Sequence, residues 1–336
     1  MELPVDSPKP FRLLNLPSLA HDVIFSKMST EELYYLSKCS TRSRYAVKMF
    51  TRRQTYDFNI TAMETYCCLD VSNRLDRKTF YRLLIPMGFR ELFFDLSFIT
   101  RSEDFWATTK EEIAFFFDVF TRNVNRLHVY DITNVTKMTE LLKENMVLPV
   151  DWVRYDVREM DDEVYKLVLK EFKDAKTLEI GASPSAEFRY DDMEPFTGQY
   201  VIMKNADWLT VDHLTRCFTN VERVRLWTDS QRCLNVLVFN QSLNAWRKES
   251  SVGELDLECD CTNFDLQSIF KNLPTTEVKR VKVGNWKKVF KDGECFLIRQ
   301  QASGVEALVY FNIKSPLNRS ICFTTNFRLL RDDESD

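Results

Sequence analysis

A hydrophobic stretch near the start of the chain, residues 11–50, carries more apolar surface than three short helices can bury among themselves. Pro17 suits the first turn of a helix, because its φ is fixed near the helical value. Ser29 and Glu32 form a capping-box pattern that starts a second helix, and Ser40 can cap a third. Helical units of this size bury too little surface to be stable alone. We therefore predict a three-helix docking module whose first helix also contacts an outside partner.

Within this module, apolar residues and one cysteine follow a fixed order: Leu16, Pro17, Val23, Ile24, Met28, Leu33, Leu36 and Cys39. This order resembles the F-box, the helical motif that binds the Skp-type adaptor of SCF (Skp–cullin–F-box) ubiquitin ligases. The resemblance implies that residues 11–55 bind the adaptor. The alternative is an ordinary helical subdomain that packs on the rest of the chain. The predicted adaptor-binding residues are Leu16, Pro17, Leu19, Val23, Ile24, Met28, Leu33 and Leu36.

The composition is typical of a folded globular protein. The chain has 336 residues, of which 44% are hydrophobic and 29% charged, enough for one large or two ordinary domains. Its 46 Lys and Arg against 50 Asp and Glu give a net charge of −4, which disfavours a dedicated nucleic-acid surface. A local basic run lies in the helical module, where it could face phosphate, an acidic adaptor or solvent. Its members are Lys38, Arg42, Arg44, Lys48, Arg52 and Arg53.

The pattern of cysteines and the N-terminal sequence favour a cytoplasmic or nuclear location. The nine cysteines are scattered without the spacing of a small disulfide-bonded domain. The start, MELPVDSPKP, lacks the charged and apolar regions of a signal peptide, and we expect residues 1–10 to be flexible. No apolar run is long enough to span a bilayer. We therefore expect reduced thiols, no membrane partner and no nucleic-acid partner.

Beyond the helical module, the pattern apolar-x-x-apolar-x-apolar recurs along the chain. Its central residues Leu127, Val153 and Leu178 lie 26 and 25 residues apart, within the range of roughly 20–29 residues found in leucine-rich repeats. Strands of this type would lie parallel and share one continuous core. We predict parallel strands, in chain order, centred on Leu92, Leu127, Val153, Leu178, Val224, Leu255 and Val281, with a weaker strand at Tyr200-Val201-Ile202.

Helical stripes separate these strands. Apolar residues recur at helical spacing around Ile113 and Phe116, around Val164 and Val168, and from Leu266 to Leu273. The alternation predicts an α/β fold, in which the three-helix F-box precedes an irregular leucine-rich-repeat-like solenoid at residues 56–290. An ordinary α/β domain is the alternative, because the repeats are degenerate.

The C-terminal part has a different pattern. Residues 295–311 alternate around a turn at Ser303 and Gly304, which predicts a short β-hairpin, and Ile321 and Phe323 could add a third strand. The end, RDDESD, belongs to an acidic tail at residues 329–336 that we expect to fray.

Residues 200–328, which overlap the repeats, contain a further set of residues that forms a recognisable pattern: Trp208, Leu209, Thr210, Val211, Asp212, Leu214, Phe296, Ile298, Arg299 and Gly304. With these residues the segment resembles the F-box-associated type-2 domain. This resemblance implies a substrate-binding role behind the F-box.

Signatures of enzymes and of metal sites are missing from the sequence. There is no nucleophile elbow and no glycine-rich phosphate loop, and the chain has only 7 glycines and 3 histidines. Cys259 and Cys261 continue a strand alternation, so they are more typical of core cysteines than of metal ligands. We therefore predict no catalytic residues, no metal and no cofactor.

Together these patterns predict a non-catalytic substrate-recognition subunit of an SCF-type ubiquitin ligase. It would bind the Skp-type adaptor, and through it a cullin scaffold, and would hold a protein target on the exposed face of the repeat strands. A repeat scaffold unconnected to ubiquitin transfer is the alternative. Opposite charges on that face could equally pair across strands and serve stability alone. The predicted target-binding residues are Phe93, His128, Glu179, Arg225, Trp227, Asp256 and Lys282.

Overall fold

A computed structural model describes residues 13–74, 80–86, 104–121, 123–144, 150–210, 212–218, 220–228, 236–248, 254–259, 269–315 and 318–330. The chain divides into two compact units. The first comprises residues 1–125 and 141–148, and the second comprises residues 126–140 and 149–336. The predicted flexible N-terminus, Leu92, Phe93, Cys261 and most of the acidic tail lie outside the described residues.

The first unit opens with the three predicted helices. They are α1 (Ser18–Phe25), α2 (Thr30–Cys39) and α3 (Thr41–Thr51), after a short 3₁₀ turn at Leu13–Asn15. Pro17 precedes α1 with φ of −58°, and Ser29 and Glu32 form the predicted capping box of α2. Ser40 caps α3 through its own box with Ser43. The capping signals of α2 and α3 are thus confirmed, whereas Pro17 lies just before the first turn of α1 rather than within it.

A three-stranded antiparallel meander and a long helix complete the first unit. The strands β1 (Tyr56–Ala62), β2 (Tyr66–Asn73) and β3 (Phe80–Pro86) pair in order, and α4 runs from Phe105 to Val119. The apolar stripe of α4 was predicted, whereas the meander was not. Its signal is a strict two-residue alternation, in which every second residue of β1 is buried, rather than the recurring repeat pattern.

Six parallel strands form the centre of the second unit. They are β4 (Arg126–Val129), β5 (Trp152–Tyr155), β6 (Thr177–Ile180), β7 (Tyr200–Met203), β8 (Arg223–Thr228) and β9 (Glu254–Cys259). They pair side by side in chain order, as the sequence pattern predicts. The aligned anchors Leu127, Val153, Leu178, Val201 and Val224 are all buried. Their side chains form the shared core of these strands.

The connections between the parallel strands differ in structure. Helices α5 (Ile132–Glu144), α6 (Asp162–Glu171) and α7 (Val236–Lys248) follow β4, β5 and β8. By contrast, the segment between β6 and β7 contains no helix, and a π-helical turn at His213–Cys217 separates β7 from β8. The fold of this unit is therefore mixed α/β, with connections that are irregular from one strand to the next.

The C-terminal strands are antiparallel. The predicted hairpin is present as β13 (Cys295–Arg299) and β14 (Glu306–Ser315), and β15 (Asn318–Thr324) is the predicted third strand. The outer edge of β13 pairs with the two-residue β10 (Thr276–Glu277). Strand β15 pairs in turn with β9, so these strands continue the sheet of the second unit.

A separate three-stranded sheet contradicts one part of the repeat prediction. Val281 lies in β11 (Arg280–Val283), which pairs antiparallel with β12 (Trp286–Val289) and β16 (Phe327–Leu329). Gly284 has φ of +55°, which permits a tight hairpin turn with Asn285. The chain therefore reverses directly after Val283, and β11 pairs with its neighbours in the hairpin instead of adding a seventh parallel strand.

Leu178 provides a test of the shared core. Its side chain is 1% exposed at the centre of the parallel strands, so Leu178→Ala should lower the free energy of unfolding by about 2–5 kcal/mol. Thr177→Ala, at a half-buried position on the opposite face, should cost about 1 kcal/mol or less. Chemical denaturation of both variants measures these changes. Equal losses would contradict the assignment of the two faces.

Candidate functional site

The first helix presents an apolar ridge to solvent. Leu19 is 77% exposed and Val23 is 64% exposed, one helical turn apart on the same face of α1. The opposite side is anchored by Phe25, which is buried and stacks on His21 at 5.5 Å. Its ring also meets that of Phe50 edge-on at 5.6 Å. Aromatic packing on the opposite side of α1 thus fixes the orientation of this ridge.

The other predicted adaptor-binding residues range from exposed to fully buried. Pro17 is exposed, whereas Leu16, Ile24, Met28 and Leu36 are half-buried. Leu33 is 2% exposed and lies in the core of the module. A partner that docks on α1 would therefore contact Pro17, Leu19 and Val23 first, while Leu33 would act by holding the helices together.

Polar contacts fix α1 and the preceding turn against α3 and the residues that follow it. The guanidinium of Arg53 donates two hydrogen bonds to the carboxylate of Asp22, one of them at 2.7 Å. Arg42 donates from Nη2 to the carbonyl of Leu14 at 2.8 Å. Two members of the basic run thus have partners inside the module.

Hydrogen bonds to one carboxylate of α4 hold the inner face of α2 against that helix. Glu112 is 9% exposed and accepts a hydrogen bond from the hydroxyl of Tyr34 at 2.9 Å. It also accepts two bonds from Nζ of Lys38, at 2.9 and 3.0 Å. The ring of Tyr34 stacks on Tyr81 at 4.5 Å and on Phe116 at 5.4 Å. Burial, and then the charge of Glu112, raise the pKa of Tyr34 far above its ordinary value, so this hydroxyl stays a donor.

Ion pairs and a hydrogen bond connect the inner face of α3 to the end of α4. Lys48 donates to Oδ1 of Asp118, and Nε of Arg44 lies 3.0 Å from Oδ2 of the same carboxylate. The hydroxyl of Thr51 donates to the carbonyl of Val119. The guanidinium of Arg44 also lies 4.5 Å from the ring centre of Phe115. Lys38, Arg44 and Lys48 of the basic run therefore bind α4 of the same chain.

The predicted target-binding residues of the parallel strands lie in one row, with two additions. His128, Glu179, Arg225 and Asp256 align in register, with Arg154 on β5 and Ile202 on β7 filling the positions between them. The prediction omitted these two, although alternation places Arg154 between the anchors Val153 and Tyr155. Trp227 lies two residues further along β8, on the same face. We call these residues, with Trp227, the strand row.

Two predicted members are not part of the strand row as described. Lys282 lies in β11, in the separate three-stranded sheet, because the hairpin at Gly284 removes that strand from the parallel set. Phe93 lies outside the described residues, and of Asp256 only the backbone position is described.

Charges in the strand row partly pair with each other. Arg154 donates from Nη2 to Asp156 at 2.9 Å, and its Nε lies 3.7 Å from Oε1 of Glu179. The ring of His128 lies 3.9 Å from that of Tyr130. Burial, and then the charge of Arg154, lower the pKa of His128 below its ordinary value, so the imidazole is neutral near pH 7. The charge of Lys204 lies 5.8 Å from the ring centre of Trp227.

No cluster of three or more His, Cys, Asp or Glu side chains suited to a metal ion occurs within the described ranges. Burial raises the pKa of the Cys68 thiol to about 12, so this thiol is protonated and unreactive near neutral pH. His213 is buried, and both of its ring nitrogens are hydrogen-bonded, Nδ1 to the hydroxyl of Thr210 and Nε2 to the carbonyl of Tyr190.

Within the described ranges, no helix has the length and apolar character needed to cross a bilayer.

Comparison with known proteins identifies one domain. Residues 13–55 match the F-box domain, which covers the 3₁₀ turn, α1, α2 and α3. No curated protein and no solved structure matches the chain. The chain therefore contains an F-box domain, and F-box domains bind Skp-type adaptors in SCF complexes.

The contact between α3 and α4 predicts a dependence of stability on pH. Burial acts to raise the pKa of Asp118, but the hydrogen bond and charge of Lys48, together with the charges of Arg44 and Arg52, outweigh it and lower the pKa below its ordinary value. Stability from a lowered pKa is complete above the unfolded value, near pH 4, and is lost as the pH falls through the folded value. Asp118→Asn should therefore destabilise the protein at pH 7, and the difference from wild type should shrink below about pH 4.

Denaturant unfolding across this pH range makes the measurement. In the Lys48→Met background, the substitution Asp118→Asn should have a smaller effect at pH 7, because the main partner of the carboxylate is gone. A difference that stays constant from neutral to acidic pH would contradict the ion-pair assignment.

Proposed function

We propose that this chain is the substrate-recognition subunit of an SCF-type ubiquitin ligase. Its F-box would bind the Skp-type adaptor, and the parallel-strand region would bind a protein target. The observation that carries the proposal is the F-box match at residues 13–55, together with the exposed ridge of Leu19 and Val23 on α1.

Packing within the first unit supports docking through α1. The inner faces of α2 and α3 are occupied by α4, through Glu112 and Asp118. Leu19 and Val23 are left in solvent, where covering each large apolar side chain fully would gain roughly 1.5–3 kcal/mol. Clusters of such anchors, closed off from water by a partner, supply most of the affinity of protein interfaces.

The proposed role requires no bond chemistry from this chain. A subunit that holds a target close to a ubiquitin-loaded enzyme acts by raising the effective concentration of the target. The adaptor would link the chain to a cullin scaffold. We place the protein in the cytoplasm or the nucleus, where thiols such as exposed Cys39 remain reduced.

For the target-binding region we propose an irregular arrangement of leucine-rich-repeat type. The parallel strands β4 to β9 follow one another in chain order, and three of their connections contain a helix, which supports this interpretation. We assign residues 200–328 to an F-box-associated type-2 region on the resemblance around Trp208. The indole packs edge-on against Phe188 at 5.2 Å and His213 at 5.2 Å, as expected of a structural anchor.

The strand row is our proposal for where the target binds. Its side chains share one face of the parallel strands, which stand about 4.8 Å apart, so one extended partner could contact several of them. Arg225 and Trp227 are the members best suited to this role, since Arg and Trp are enriched among residues that dominate binding. Arg154 and Glu179 pair with each other and contribute to the sheet itself.

The adaptor role is tested by truncating the ridge. Leu19→Ala with Val23→Ala should weaken binding of a purified Skp-type adaptor by about tenfold or more, because two exposed anchors are removed and no core contact is lost. Leu16→Ala with Pro17→Ala should act in the same direction. Val289→Ala with Leu329→Ala is the matched control, since these residues are also apolar and exposed but lie in the second unit. Unchanged affinity in the ridge variants would favour a scaffold unconnected to ubiquitin transfer.

The target role is tested by charge reversal in the strand row. Arg225→Glu should reduce the proteins labelled by a proximity enzyme fused to this chain, while adaptor binding and the melting temperature stay close to wild type. Arg158→Glu, at an exposed position outside the row, is the control. If stability falls and the labelled set is preserved, the row serves the sheet and the target binds elsewhere.

A further inference from the structure

A pocket of about 550 Å³ lies in the second unit, where the outer edge of β13 meets the last turn of α7. Its size is within the range of roughly 300–1,000 Å³ that is typical of ligand sites. Pro274, Leu297 and Ile298 give it apolar walls, and two threonines and two glutamines add polar groups. Its charged lining residues are Arg247, Arg299 and Glu306, which leave one positive charge in excess.

Strand β10 covers only part of the outer edge of β13. It pairs with Phe296 and Leu297, and the same register would place Pro274 opposite Arg299. Proline has no N–H to donate, so the strand pairing ends before it. The carbonyl of Arg299 accepts instead from Nε of Arg247, at 3.4 Å. A side chain of α7 thus takes the place of the missing strand at this point.

The backbone N–H of Arg299 faces the same edge. Backbone N–H groups alternate between the two edges of a strand. The N–H of Gln300 donates to the carbonyl of Val305 at 2.8 Å, on the side of β14, so the N–H of Arg299 points to the outer edge. Nothing in the described part of the chain accepts a hydrogen bond from it. An unpaired N–H at a sheet edge can bind an oxygen of an added chain.

Arg247 offers a second donor beside this N–H. Its Nε donates to the carbonyl of Arg299, whereas its two Nη atoms have no hydrogen-bond or ion-pair partner among the described residues. The guanidinium of Arg299, by contrast, already donates to Glu306. A guanidinium next to a backbone N–H suits a carboxylate, because charge-assisted hydrogen bonds are roughly twice as strong as neutral ones.

We propose that this pocket binds the C-terminal carboxylate of a protein partner. The carboxylate would accept from the N–H of Arg299 and from Nη of Arg247, and the last side chains of the partner would lie against Pro274 and Leu297. The inference deepens the proposed function and rests on it, since the partner would be the target of the ligase.

The short open edge favours a chain end over an internal acidic segment. On one side of Arg299, β10 already pairs with Leu297, and on the other side the turn at residues 301–303 begins. An extended residue spans about 3.3 Å, so a chain that continued along this edge would meet β10 or the turn within one or two residues. One excess positive charge also matches a single carboxylate, whereas nucleic acids and anionic bilayers are bound by several cations.

The test uses the full-length chain and a fluorescent mixture of heptapeptides randomised at the last three positions. One form of the mixture has free carboxyl ends, and the matched form is amidated. The chain should retain the free form about tenfold or more above the amidated form, because amidation removes the charge that Arg247 binds. Equal retention of the two forms, including no retention of either, would overturn the proposal. Capture that depends on internal Asp or Glu instead of the free end would also overturn it.

Variants of Arg247 identify the pocket as the binding site. Arg247→Gln should weaken binding of the retained peptides about tenfold or more, because the guanidinium is lost. Arg247→Lys keeps the charge but not the two-pronged donor geometry, so its affinity should lie between those of wild type and Arg247→Gln. Lys248→Gln is the matched control, since it removes the same charge at the next residue, which is exposed and does not line the pocket. It should change binding about twofold or less.

A pocket-filling variant separates binding from a structural role, because Arg247 also bonds the sheet edge. Thr275→Phe adds a ring at a half-buried position of the pocket wall and leaves every hydrogen bond of Arg247 in place. It should reduce peptide binding about tenfold or more, while the melting temperature stays close to wild type. If Arg247→Gln lowers the melting temperature and Thr275→Phe leaves binding intact, the arginine serves the sheet and the proposal is overturned.

Adaptor affinity, measured on the Arg247→Gln variant, should match wild type, since the F-box lies in the first unit. Because the peptide assay omits the adaptor, a failure of the F-box role leaves the peptide result readable, and a failure of the pocket leaves adaptor binding intact.

Discussion

Burial of the Glu112 carboxylate is the constraint on which the arrangement of the first unit depends. A carboxylate removed from water is costly unless it is paired and hydrogen-bonded. Glu112 meets this requirement through Tyr34 and Lys38 of α2, and the ring of Tyr34 stacks in turn on Tyr81 and Phe116. The inner face of α2 is therefore committed to α4. Leu19 and Val23 of α1 stay exposed and available to an outside partner.

Charge pairing in the strand row bears on the stability of the sheet itself. Arg154 lies beside Glu179, an arrangement that stabilises a sheet without any ligand. Arg225 and Trp227, which we propose for target contact, lie on the same face of β8.

Local sequence signals were sufficient for much of the fold. The capping box of Ser29 and Glu32 places the start of α2, because the signal and the structure involve the same four residues. The anchors Leu127, Val153 and Leu178 place three parallel strands, because a buried strand shows its own apolar pattern. The F-box domain itself was predicted from this kind of short-range order and is found at residues 13–55.

The features that were missed depend on distant residues. Val281 has the same local pattern as the parallel strands, but the turn at Gly284 pairs its strand with β12. Glu112 lies on a helix of amphipathic pattern, and nothing nearby in sequence indicates that Tyr34 and Lys38 surround it. The predicted position of Lys282 in the row was wrong, because it depended on a parallel strand at Val281. Such pairings depend on topology, which a local pattern does not encode.

The central claim is that α1 is the docking surface and that the inner faces of α2 and α3 are reserved for α4. Hydrogen–deuterium exchange of the full-length chain, alone and with a saturating Skp-type adaptor, tests it most directly. The account predicts added protection at Leu13–Asn15 and Ser18–Phe25, with α4 and the parallel strands unchanged. Adaptor binding that left α1 unprotected, or that loosened α4 through loss of its contacts with Tyr34 and Lys48, would contradict the account.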